Sequence, residues 1–237
     1  IIDSVKVLGH SRMAQVVRMV LIDVFKEAQH AGYVPPGYNP AKATKQPRNR
    51  VKRERMTLDE WRTIYQQAKN HPPYLQCGML LALTTGQRIG DICKMKFSDI
   101  WDDMLHVQQE KTGSKLAIPL SLKCEAINLS LRDVVAQCRD AVVSKYLVHY
   151  RHTTAQAKRG EQVTPNTLTT TFKKARDKCG LTWEKGTAPT FHEQRSLSER
   201  LYREQGINTQ KLLGHKTQNM TDKYHDDRGK EWQIIAV

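Results

Sequence analysis

Four separated pieces of this chain carry side chains suited to moving a phosphodiester from one oxygen to another. They are Thr85-Gly86-Gln87-Arg88-Ile89-Gly90-Asp91, Lys111-Thr112-Gly113, His192-Glu193-Gln194-Arg195, and Leu213-Gly214-His215, the last followed nine positions after its His by Tyr224. Displacement at phosphorus builds negative charge on the non-bridging oxygens, and two guanidiniums can meet it with permanently charged, bidentate forks. Arg88 and Arg195 suit that role, whereas a lysine ammonium has no fixed fork. A phenol titrates near pH 10, so Tyr224 as a nucleophile needs an acceptor for its proton and nearby positive charge. His192 is expected to accept that proton or to hydrogen-bond the phosphate, and His215 to hold a non-bridging oxygen. Each piece alone is weak evidence. A His and an Arg three apart simply share a helix face, and most tyrosines pack. The conjunction, in this order, carries the argument.

These groups need a scaffold. Thr57 and Glu60 form a T-x-x-E capping box that starts a helix with Leu58, Trp61, Ile64 and Ala68 facing inward, so a domain begins near residue 55. Residues 75–83 are nearly all apolar and read as a buried helix that ends at Thr84-Thr85-Gly86, with a short helix after Arg88. Residues 104–108 and 116–120 read as the strands of a hairpin whose turn holds Lys111 and Lys115. Beyond residue 121 the pattern is mainly helical: Thr164-Pro165 starts one helix, another follows Thr190, a short one ends at Leu213-Gly214, and a last one runs from about 217 to Tyr224. The polar segment 151–163 is expected to be a loose connection, and Trp232 to Val237 an apolar, strand-like tail. The expected fold is α+β, mainly helical with a small antiparallel sheet. Asp91, one turn on from Arg88, is expected to orient an active-site Arg or His and not to bind metal.

Before that domain, Ser11 is placed to cap a helix that ends near Gly32. Pro35, Pro36, Gly37 and Pro40 then predict irregular chain, followed by a run of basic residues from Lys42 to Arg55. Within it Arg48, Arg50, Lys52 and Arg53 read either as a solvated tether or as a strap laid along nucleic-acid phosphates, which Lys115 from the hairpin is also expected to touch. The formal net charge of +14 across 237 residues points to a polyanionic partner. Five scattered cysteines form no CxxC pair and no zinc spacing, and read as reduced thiols. No apolar run approaches the ~20 residues that cross a bilayer. The chain opens at Ile1 without an initiator Met, and is expected to be part of something longer.

Together the four pieces resemble the signature of the tyrosine recombinases, and the lambda-type bacteriophage integrases most of all, with Lys223-Tyr224-His225-Asp226-Asp227-Arg228-Gly229 reinforcing the likeness around the nucleophile. The resemblance covers essentially all of residues 56–237. It implies the tyrosine-recombinase catalytic domain there, a basic linker over 41–55, and the end of a helical core-binding domain over 1–40. It implies that Lys111, just before the Thr-Gly turn, protonates the departing 5′ oxygen. It implies cutting and rejoining of double-stranded DNA at attachment sites through a 3′-phosphotyrosyl bond. A homotetramer coupled by the C-terminal tail docking in trans follows, with accessory DNA-bending or directionality proteins as further partners, in the cytoplasm of a bacterial host. Neither nucleotide cofactor nor metal is expected, because one phosphoester is exchanged for another and the arginines meet the charge. A type IB topoisomerase shares this chemistry, and a non-catalytic DNA-binding protein is the rival of another class. One departure stands out: Gln194 precedes Arg195 where the family usually has Leu.

Overall fold

The computed structural model describes residues 1–47, 54–155, 157–184 and 187–225. Arg48, Arg50, Lys52 and Arg53, and the expected strand from Trp232 to Val237, lie outside the described residues. The chain divides into two compact units, residues 1–52 and 53–237.

In the first unit, α1 (Ile2–Val7) precedes α2 (Ser11–His30). Ser11 is the first helical residue, not the cap; His10 takes the cap position, and no side chain bonds the helix end there. The proline-rich stretch also holds an element that the sequence reading missed, the single turn α3 (Pro40–Ala43). Pro40 occupies its first position, where a missing N–H costs nothing, and the Asn39 side chain accepts from the Lys42 N–H at 3.3 Å. Asn39 also donates to the Ile22 carbonyl at 2.9 Å, and Arg18 reaches the Thr44 carbonyl at 3.2 Å, so this stretch folds back along α2. Lys42 is therefore helical, not part of an irregular strap.

The second unit begins with the expected capping box of α4 (Leu58–Gln67), closed by Glu60 Oε2 accepting from the Thr57 N–H at 2.7 Å. Its centre is α5 (Tyr74–Thr85), whose residues are nearly all buried and which packs against α7 (Leu131–Cys138), α8 (Pro165–Asp177) and α9 (Glu193–Glu204). Each buried Leu or Met there contributes about 1.5–3 kcal/mol of transfer free energy. The helix stops at Gly86, φ +63°, and a Cβ at that position would sit 2.8 Å from Leu213 Cδ2. The left-handed backbone and the close approach both require glycine. Arg88 then enters α6 (Ile89–Lys94).

The sheet has three antiparallel strands, β1 (Ile100–Trp101), β2 (Met104–Gln108) and β3 (Lys115–Pro119), in that order. Only β2 and β3 were expected. β1 is too short to show alternation, and the left-handed pair Asp102 and Asp103, φ 49° and 56°, turns it into β2. A second ladder, β4 (Lys123–Cys124) with β5 (Leu129–Ser130), lies in the region expected to be mainly helical. The segment 151–163 is tied down: Tyr150 and Glu161 bond through their backbones at 3.0 Å, Val163 donates to Val148 at 3.2 Å, and Asp140 accepts from Arg151 Nε at 2.6 Å. The chain continues through α10 (Thr209–Leu213) to α11 (Gln218–His225).

The Gln194 departure has a structural counterpart. Its Oε1 accepts from the buried indole of Trp61 at 2.8 Å, so the amide satisfies an N–H that a leucine would leave bare. The five cysteines are unpaired, as expected, and burial pushes the Cys93 thiol up to about 12. No described helix is long and apolar enough to cross a membrane.

Candidate active site

Arg195 stands at the centre, 1% exposed, on the first turn of α9. One end of its guanidinium donates to the Gly86 carbonyl. The other donates to the Leu213 carbonyl at 2.7 Å and faces His215 Nε2 at 3.0 Å. Two helix ends, both finished by left-handed glycines, thus present their last carbonyls to one cation. Burial lowers its pKa to about 10, Arg88 pushes the same way, and Tyr224 opposes them. It stays charged at neutral pH.

His215 is buried between Arg195 and α11, with Nδ1 2.9 Å from Thr221 Oγ1. An arginine can only donate, so Nε2 is the acceptor and the ring proton sits on Nδ1. Burial, then Arg195 and Arg88, lowers its pKa to about 4, which keeps the ring neutral. Its expected phosphate contact would have to be made from a nitrogen that here faces Arg195.

The Tyr224 ring centroid lies 5.2 Å from that of His215 and 6.0 Å from that of His192, and 5.4 Å from the Arg195 guanidinium carbon. Ser196 Oγ, one residue beyond Arg195, donates to the Tyr224 carbonyl at 2.7 Å and fixes the end of α11 against α9. His192 has an accessible ring. The protein packed around it lowers its pKa, Glu193 opposes this, and Arg195, Arg88 and Arg55 add to the lowering.

Arg88 is half-buried and donates to Gln109 Oε1 at 2.9 Å. Lys111 stands exposed on the β2–β3 turn, without a hydrogen bond or ion pair among the described residues, and Lys115 is exposed at the start of β3. The structure therefore brings Arg88, His192, Arg195, His215 and Tyr224 to one place and leaves Lys111 on a neighbouring loop. Asp91 Oδ1 accepts from the Glu110 N–H at 2.9 Å, holding the base of the turn, and its carboxylate acts on Arg195 through space, raising its pKa.

Several contributors carried no motif. Gln109 and Thr221 are the nearest partners of Arg88 and His215. Arg55, the end of the basic run, is 7% exposed and pairs with the equally buried Glu193 at 3.0 Å, while its second Nη bonds the Lys223 carbonyl next to Tyr224. It belongs to the second unit's interior, not to a solvated strap.

The phage integrase family model matches residues 54–231. Over all 237 residues the chain is 75% identical to the integrase of Enterobacteria phage P21, and 65% identical to the prophage integrase IntE of Escherichia coli strain K12. It is 40% identical over 231 residues to the integrase of Escherichia phage lambda. These alignments take in 97–100% of this chain but 62–63% of those proteins, so the chain spans a little under two thirds of their length. Among solved structures, a lambda integrase dimer bound to a COC′ core site superposes over 100% of this chain and 81% of that one, with a TM-score of 0.90 and 39% identity. A lambda integrase tetramer bound to a Holliday junction gives 0.89 at 38% identity, over 99% of this chain and 65% of that one. XerA recombinase, at 16% identity and a TM-score of 0.53, shares the fold. On the family match over its second unit and the identity along its whole length, the chain belongs to the phage integrase family.

Proposed function

We propose that this chain is the DNA-cutting and rejoining part of a site-specific recombinase that integrates or excises a mobile element. The observation that carries the reading is Tyr224 lying beside Arg195 and His215, 5.4 Å and 5.2 Å away, with Arg88 in the same cluster. In the reaction, Tyr224 Oη attacks the scissile phosphorus while the bond to O5′ breaks. The phenol proton passes to His192, which is neutral and able to accept it at pH 7. Lys111 gives a proton to the departing O5′. The product is a 3′-phosphotyrosyl bond and a free 5′ hydroxyl, and reversal with a hydroxyl from another strand rejoins the backbone. Arg88 and Arg195 stabilise the charge on the non-bridging oxygens, and His215 contributes there once Arg195 turns to the phosphate and the ring proton moves to Nε2, with Thr221 Oγ1 then donating to Nδ1.

Residues 1–40 read as the end of a core-binding domain, 41–55 as a linker whose Arg48, Arg50, Lys52 and Arg53 follow phosphates, and 56–237 as the catalytic domain. The partner is double-stranded DNA at attachment sites, joined by accessory proteins that bend DNA or set direction, in the cytoplasm of a bacterial host. The relatives solved as a dimer on a core site and a tetramer on a Holliday junction support a tetrameric assembly here; the apolar tail from Trp232 to Val237 is proposed to couple its subunits by docking in trans. They also favour strand exchange over the swivel-and-reseal chemistry of a type IB topoisomerase.

The test is incubation with a nicked suicide duplex, which loses the short 5′ fragment after cleavage and traps the covalent complex. The protein should form an adduct that survives denaturation. Tyr224→Phe should form none while binding DNA within about twofold of the parent, because only a hydroxyl is removed. An adduct in that variant would move the nucleophile elsewhere.

A further inference from the structure

The side chain of Gln109 is fully buried, and every hydrogen-bonding position of its amide is filled. Oε1 accepts from Arg88 Nη1 at 2.9 Å and from Thr112 Oγ1 at 2.7 Å. Nε2 donates to Gln87 Oε1 at 2.7 Å and to the Leu213 carbonyl at 2.9 Å. The Gln109 backbone closes the turn that carries Lys111: its N–H donates to Ser114 O at 2.9 Å, and its carbonyl accepts from Gly113 N at 2.8 Å. A Cβ on Gly214 would lie 2.9 Å from Gln109 Nε2, so the amide is seated directly against the Leu213-Gly214-His215 segment. One primary amide offers two N–H groups and two lone pairs. Here they join the Arg88 segment, the lysine turn and the segment before His215.

We propose that Gln109 is a positioning residue for Lys111, fixing the base of the turn on the Leu213–His215 segment so that the ammonium two positions later meets the departing O5′. This rests on the reading of Lys111 as the proton donor. Arg88 depends on the amide less, because a bound phosphate offers its guanidinium a charged partner stronger than a neutral carbonyl. On the far side of Lys111 the turn has no such substitute: Asp91 Oδ1 holds the Glu110 N–H at 2.9 Å before the lysine, but after it the side-chain tie besides Thr112 to Gln109 is Ser114 Oγ to the Gly214 carbonyl, at a long 3.4 Å.

Replacing the bridging 5′ oxygen of the suicide duplex by sulfur separates this role from a merely structural one. A thiol is far more acidic than an alcohol, with a pKa of about 8.5, so the thiolate leaves without a proton. Single-turnover cleavage is followed on both duplexes. Lys111→Ala should cut the oxygen duplex at least about 100-fold more slowly than the parent, the usual scale for a lost general acid, and the sulfur duplex within about threefold of it. Gln109→Met should be about 10- to 100-fold slower on oxygen and likewise restored by sulfur. Because that change removes a buried amide and could lower stability, Thr112→Val, which deletes only the hydroxyl tying the turn to Gln109, is the second variant. It should be slower by about three- to tenfold on oxygen and recover on sulfur. If both variants cleave oxygen at the parent rate, or fall equally on both duplexes, Gln109 does not act through Lys111. If Lys111→Ala itself is not rescued, the reading of Lys111 as the acid falls and this inference falls with it. Rescue of Lys111→Ala without rescue of the other two overturns the inference alone.

Discussion

Arg195→Lys tests whether the fork of this residue, and not merely its charge, is what the site uses. Three acceptors face the guanidinium: the Gly86 carbonyl at one end, and the Leu213 carbonyl and His215 Nε2 at the other. Leu213 keeps a second donor, Gln109 Nε2 at 2.9 Å, so the loss falls on Gly86 and His215. A single ammonium placed at one of these leaves the other bare, and a buried acceptor without a partner costs about 1–3 kcal/mol. Urea unfolding should therefore show the variant less stable by about that amount, out of the ~5–15 kcal/mol typical of a domain. Cleavage should suffer separately. Losing one preorganised charge partner of a transition state typically slows the reaction by about 100- to 1,000-fold. Single-turnover cleavage of the suicide duplex, measured below any unfolding transition, reads this second loss free of the first. A variant with an unchanged urea midpoint and a rate within threefold of the parent would refute the fork argument.

The depressed His215 pKa predicts a pH signature in stability. Between its ordinary value of 6.5 and about 4, the unfolded chain binds a proton that the native site does not. Stability from this group is therefore complete above pH 6.5 and declines by about 1.4 kcal/mol per unit as pH falls towards 4. Urea unfolding at pH 7.5 and 4.5 should show this loss in the parent and a smaller one in His215→Asn; equal losses would contradict it. Changing Arg48, Arg50, Lys52 and Arg53 to Gln should lower the slope of log K against log salt by about one per lost phosphate contact, for all DNA sequences alike. Fluorescence anisotropy across a salt series checks this, and an unchanged slope would make the run a tether. Deleting residues 231–237 should weaken tetramer assembly and recombination while sparing cleavage of the suicide duplex. Normal assembly of the truncated protein on a synthetic four-way junction would remove the tail from that role.

What could be read from the sequence was whatever is fixed locally or by reaction chemistry. The Thr57-Glu60 box and the Thr164-Pro165 start are local hydrogen-bond solutions, and both form. That Arg88, Arg195, His192, His215 and Tyr224 would gather could be anticipated because charge, proton acceptance and nucleophilicity restrict the residue types suited to phosphoryl transfer, and the structure brings them together. Their supports were not legible. Arg55 meets Glu193 across 138 positions, Gln109 meets Leu213 across 104, and Trp61 meets Gln194 across 133. No local spacing encodes such pairings, and an Arg inside a basic run looks like its neighbours. The hydrogen bond of Asp91 was hidden for the same reason, since its partner is a backbone N–H in the turn after β2 that only the fold brings near. Pro40 read as a breaker although it begins a helical turn, because proline's cost disappears at the first helical position.

Arg55 also decides where this molecule can be cut. A shorter fragment started at the helix cap, Thr57, would look complete by its secondary structure and would keep every motif residue. It would lack the guanidinium that joins Glu193, beside His192, to the carbonyl of Lys223, beside Tyr224. Such a fragment would carry a buried carboxylate stripped of this cation, and α11 would keep its ties to Ser196, His215 and the Arg195 guanidinium, with the weaker Arg203–Asp222 contact at 3.4 Å. Comparing fragments that begin at residues 54 and 57 would expose the difference as a mobile Tyr224 in an otherwise folded protein. Residue 55, two positions before the cap of the first helix of its unit, is thus the natural upper limit for the start of a fragment of this unit used in crystallography, inhibitor screening or fusion to another module.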